Sequence, residues 1–240
     1  MSNGSCRARC AALGTGVAMA LMAASSAAAQ MLGVPVLQNA FANPGITVAG
    51  NFGTQEDARG YGGAAAWAPG SGRFQLSAGA GVFDAETSPD DRTRTFTWGV
   101  RGSFSFLEMA GGAVGLGAFA GAGALSRDRV TEIRAPIGAS IGWRRALGAT
   151  RAISVYLAPF YSFSERRFDR GGLDCDVVTC PDESERSGAL RVSAGVDVAV
   201  ARSIGVTVGY EHGQRADGSD PGPRSGIFGV GISYAFRRGR

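Results

Sequence analysis

Between residues 226 and 236 the chain places Phe228, Val230, Ile232, Tyr234 and Phe236 at alternate positions, with Gly229, Gly231, Ser233 and Ala235 between them. Successive side chains of a strand point to opposite faces, so one face here is bulky and apolar while the other is small. A strand with one face in water would carry polar groups there. Bulky groups on one face and small ones on the other fit a strand whose outer side meets lipid and whose inner side meets a narrow interior.

The same alternation predicts ten strands, at 46–53, 61–68, 73–83, 95–106, 113–124, 134–144, 152–163, 189–200, 204–213 and 226–236. The fourth is the clearest internal example, with Phe96, Trp98, Val100, Phe104 and Phe106 against Thr97, Arg101, Ser103 and Ser105. The fifth is nearly all Gly and Ala, and Phe119 falls out of phase with Val114 and Leu116, so a buried helix competes there. In the seventh, Pro159 lacks the N–H that a central strand needs.

Short links at 69–72, 107–112, 145–151 and 201–203 alternate with longer polar ones at 55–60, 84–94, 126–132, 164–188 and 214–224. The two kinds of link therefore fall on opposite rims. This predicts an all-β fold, a closed antiparallel up-and-down transmembrane β-barrel of ten strands, with eight as the alternative count. Short turns face the periplasm and long loops face outward. Trp67, Trp143, Phe104, Phe106, Tyr234 and Phe236 cluster toward the short-turn ends, where an interfacial girdle is expected. The rival is a soluble barrel or sandwich, but its water-facing side would then be rows such as Gly115, Gly117, Gly121 and Gly123.

Residues 1–29 carry Arg7 and Arg9, an apolar run, and Ala27-Ala28-Ala29 before Gln30, the organisation of a cleaved secretory signal peptide. The apolar run is short for a retained anchor, and Arg9 before Cys10 argues against lipoprotein processing. The expected divisions are the signal peptide at 1–29, a periplasmic segment at 30–45, the barrel at 46–236 and a basic tail at 237–240. Whether the N-terminal segment plugs the lumen is left open.

Composition narrows the picture. With 38 glycines and no lysine, the chain suits neither helices nor disorder. Removing Arg7 and Arg9 from 24 basic residues leaves 22 against 20 acidic ones, too balanced to suggest nucleic acid. After the signal peptide only Cys175 and Cys180 remain, and an oxidising envelope favours a loop disulfide between them. A metal site would need further ligands nearby, and no cofactor is implied.

The signal peptide, the strand pattern and the terminal Tyr234-Ala235-Phe236 resemble small bacterial outer-membrane β-barrel proteins. In that family a final aromatic serves the barrel-assembly machinery. The resemblance implies the outer membrane as location, with Tyr234 and Phe236 as the assembly signal. Here Arg237-Arg238-Gly239-Arg240 follow the aromatic, a departure from the usual ending. Lipid, lipopolysaccharide, the assembly machinery and an extracellular ligand of the loops are the expected partners of what is expected to be a monomer.

The small face carries Arg101, Arg144, Arg191, Asp197 and Glu211. They predict either an internal salt-bridge network, the favoured reading, or a charge-lined pore. Arg92, Arg94, Arg127, Arg129, Arg166, Arg167 and Arg170 fall at the outer rim, suited to lipopolysaccharide phosphates or to solvated pairing with nearby carboxylates. The single histidine, His212, has Tyr210 two residues before it, whereas the omptin proteases carry an Asp-x-His pair. Gly213-Gln214 after it do not match the His-x-Ser of a lipid A deacylase. No catalytic residue is assigned. The expected role is structural or surface-interactive through the outer loops, with a narrow passive channel as the alternative and a hydrolase last.

Overall fold

The computed structural model describes residues 44–55, 58–70, 72–88, 91–127, 130–168, 184–215 and 226–236. Ten strands run β1 (Gly45–Gln55), β2 (Ala58–Ala68), β3 (Phe74–Ser88), β4 (Asp91–Met109), β5 (Val114–Arg127), β6 (Val130–Ala146), β7 (Ala152–Phe168), β8 (Ser184–Ala199), β9 (Ile204–Arg215) and β10 (Ile227–Phe236). Each pairs antiparallel with its sequence neighbours, and β1 pairs with β10 to close the barrel. Closure leaves no free strand edge, which lets the ladder groups pair with one another where the surroundings are hydrocarbon.

The seam has a tight end. Gly45 adopts φ +109°, and a Cβ built on it would lie 2.9 Å from the Phe236 carbonyl oxygen. Only glycine holds this conformation at so close an approach.

The alternation holds around the wall. Ile46, Trp98, Val100, Ile137, Leu157, Leu190 and Ile232 are exposed on the outside, while Thr47, Ser77, Thr97, Ser140, Ser193 and Ser233 are buried within. A soluble fold would bury the first set. β5 is a strand like the rest, and its Phe119 points inward. Pro159, and Pro136 in β6, sit at interruptions in the ladders. Register between β6 and β7 lapses between Gly138↔Phe160 and Ile141↔Leu157, opposite Pro159, and register between β5 and β6 lapses between Ala120↔Ile137 and Gly123↔Arg134, beside Pro136. Each missing donor falls where no bond is made.

The outer links are shorter than the polar stretches suggested. β3 and β4 continue to Ser88 and from Asp91, and β5 and β6 reach Arg127 and start from Val130, so most of the expected 84–94 and 126–132 loops is strand. Opposite charges meet across the extended ladders at Asp84↔Arg94 and Glu165↔Arg186, which favours pairing over looping. The wall is consequently uneven: β4 has 19 residues and β7 has 17, whereas β10 has 10.

Candidate functional site

The interior is built from the small-face positions of all ten strands, and its two halves differ. Strands β10, β1, β2 and β3 supply residues such as Gly231, Ser233, Thr47, Ala49, Ala64 and Ser77. Strands β4 to β9 supply the buried charges and the aromatic cluster, while Gln75 of β3 and Ile227 of β10 are the larger buried groups of the other half.

Nearest the short turns, Arg144, Ser154, Asp197 and Thr207 face one another along a single rung across β6 to β9. All four are buried. The Ser154 hydroxyl donates to Asp197 Oδ2 at 3.5 Å, and the Arg144 guanidinium lies in the field of both Asp197 and Glu108.

Farther in, Arg101 places its guanidinium carbon 4.1 Å from the centre of the Phe119 ring. Phe119 meets Phe160 edge-on at 5.9 Å, and Phe119, Tyr156, Ala158 and Phe160 form one buried cluster. Arg101 is only 3% exposed. The negative face of the ring is what draws its charge in this geometry. Among the described residues, its Nε and Nη1 have no hydrogen-bond partner.

Toward the outer mouth, Arg191 Nε donates to Glu211 Oε1 at 2.6 Å, with both side chains largely buried. Above them Glu132 accepts from Arg134 Nε at 2.6 Å and from Arg166 Nη2 at 3.5 Å.

Glycine makes this filling possible. Phe160 lies opposite Gly138, Tyr156 opposite Gly195 and Arg191 opposite Gly213. A Cβ at Gly195 would come within 2.5 Å of Tyr156 Oη, and one at Gly213 within 2.8 Å of Arg191 Cγ. At Gly138 it would collide with Phe160 Cβ. Each large side chain therefore lies flat over a bare backbone on the next strand.

Of the five interior charges expected from sequence, the structure joins Arg191 to Glu211, sets Arg144 and Asp197 on one rung, and gives Arg101 an aromatic partner. Phe119, Tyr156 and Phe160 were the residues missed as a group. Their signal was phase, because each is an aromatic on the small-residue side of its strand.

At the outer rim, alternation sends Arg166 inward to Glu132 and turns Arg167 outward, where its Nε donates to Glu165 Oε1 at 2.9 Å. Arg186 reaches Glu165 Oε2 at 3.7 Å, and Arg94 Nε donates to Asp84 Oδ1 at 2.8 Å. His212 is exposed on the outer face and stacks on Tyr210 with ring centroids 6.4 Å apart. Tyr234 and Phe236 also face outward, ring against ring at 4.9 Å. Cys175 and Cys180 lie outside the described residues, as do 1–29, 30–43 and 237–240. Among the described residues no group of three His, Cys, Asp or Glu side chains is placed to hold a metal.

No match is found among curated proteins. Among solved structures, the β domain of the Bordetella autotransporter BrkA is similar, with a TM-score of 0.50 at 17% identity, covering 81% of this chain and 100% of that one. Neisserial surface protein A has a TM-score of 0.37 at 15% identity, covering 80% and 97%. The outer membrane protease OmpT of Escherichia coli has a TM-score of 0.36 at 9% identity, covering 80% and 94%. Residues 15–236 match the outer membrane protein beta-barrel domain, and the chain belongs to that family of the bacterial outer membrane.

Proposed function

We propose that the protein is a non-conducting, non-enzymatic outer-membrane barrel, monomeric and structural or surface-interactive in role, which presents the connections at its outer rim to partners outside the cell. The observation that carries this reading is the cluster of Arg101, Phe119, Tyr156 and Phe160 inside the lumen. Barrels of about eight strands are just wide enough to be filled by side chains, so buried charges and aromatic rings projecting from six of ten strands leave little room for a continuous water path. The outward placement of His212 takes the sole histidine away from the interior carboxylates, which favours a non-enzymatic role.

The outward rim arginines Arg94, Arg167 and Arg186 each already meet a carboxylate, so solvated pairing is favoured there over capture of lipopolysaccharide phosphates. Tyr234 and Phe236 suit recognition by the assembly machinery. One feature favours the narrow-channel alternative: the mostly small lining of β10, β1, β2 and β3 leaves space beside the cluster.

Swelling of proteoliposomes in pentose-sized solutes separates the two readings. The proposal expects rates equal to those of protein-free liposomes, and swelling that rises with the amount of folded protein would establish the channel instead.

A further inference from the structure

At the outer rim Arg94, Arg134, Arg166, Arg167 and Arg186 all meet carboxylates. At the short-turn rim the described exposed charges are Arg73, Arg145, Arg151, Arg202 and Glu108. Glu108 lies in the field of Arg144, so the one exposed acid at this rim already has a cation beside it.

Arg145 and Arg151 flank a single turn, closed by the Leu147 N–H donating to the Arg151 carbonyl at 2.9 Å. Strand parity turns both outward, since Arg145 shares its face with Ile141 and Trp143 and Arg151 with Ile153 and Val155. Neither makes an ion pair among the described residues. Trp143 is exposed to the lipid side, and an interfacial tryptophan marks headgroup depth. Two residues farther along a strand is about 7 Å, which carries the Arg145 backbone from the tryptophan's depth to the level of the phosphates.

We infer that this rim is a binding surface for anionic glycerophospholipid headgroups of the periplasmic leaflet, with Arg145 and Arg151 as a two-armed phosphate clamp and Arg73 and Arg202 extending the basic belt. Arginine suits the task because its fork donates two parallel hydrogen bonds to a phosphate. Net positive charge near an anionic surface adds a long-range attraction that salt weakens. The inference rests on the barrel's orientation and not on whether it conducts.

Native mass spectrometry of lipids retained by the protein from nanodiscs of mixed phosphatidylglycerol and phosphatidylcholine tests it. The wild type is expected to retain phosphatidylglycerol preferentially. R145Q/R151Q should lower that enrichment about fivefold or more, while keeping the heat-modifiable gel mobility of a folded barrel. Because nanodiscs offer the same lipids to both rims, R167Q/R186Q serves as the counterpart and should leave the enrichment unchanged. Equal retention of the two lipids by the wild type, enrichment that survives R145Q/R151Q, or enrichment lost instead in R167Q/R186Q would overturn the inference.

Discussion

The Tyr156 ring lies across Gly195, so closely that a Cβ on residue 195 would sit 2.5 Å from the phenol oxygen and 2.6 Å from the Val208 carbonyl oxygen. The tyrosine could swing away, but the backbone of β9 cannot. Gly195→Ala is therefore expected to cost roughly 1–3 kcal/mol through overpacking. Removing the ring as well, in Gly195→Ala with Tyr156→Ala, should not restore stability, because the Val208 contact persists. Urea unfolding in liposomes, followed by loss of heat-modifiable mobility, measures both.

Arg191 and Glu211 form a largely buried ion pair inside the barrel, at 2.6 Å. Arg191→Ala strands a buried carboxylate and is expected to cost about 3–5 kcal/mol, whereas removing both charges together in Arg191→Met with Glu211→Gln should cost much less. A double-mutant cycle on unfolding free energies reads the difference. A loss in the double variant equal to the sum of the losses in Arg191→Met alone and Glu211→Gln alone would mean that the pair carries no coupling.

Much of this fold could be anticipated because lipid on one side and a narrow interior on the other impose a two-residue period of bulky apolar and small residues, where a half-solvated strand alternates apolar with polar. Strand number, closure and the facing of the interior charges all follow from that period. Strand ends do not, because above the membrane the apolar signal stops while pairing continues. Residues 84–94 appeared to be loop for want of apolar alternation, yet opposed charges such as Asp84 and Arg94 carry the ladder onward. The lumen cluster was partly visible. Phe119 broke phase in its strand, as Tyr156 and Phe160 do in β7, and in a barrel a large residue out of phase is one that fills the interior. What sequence could not supply was partnership, since Arg101 meets Phe119 on the next strand over, not a carboxylate.

The lipid-facing assignment has its own consequence. Val100 lies near the middle of β4 with 43% exposure, and Val100→Arg should destabilise the barrel by roughly 2–4 kcal/mol, the cost of an arginine at the bilayer midplane. A polar change on the inner face of β2, Ala64→Ser, should stay within about 0.5 kcal/mol. Unfolding in phosphatidylcholine liposomes compares them, and a reversed order would mean that the two faces are exchanged.

Single-channel recording in planar bilayers, comparing the refolded wild type with a Phe119→Gly, Tyr156→Gly variant, addresses the lumen most directly. The filled interior predicts a silent wild type and discrete conductance steps once the two rings are removed, in barrels that remain heat-modifiable. Reproducible steps from the wild type itself, unchanged by the two substitutions, would contradict it.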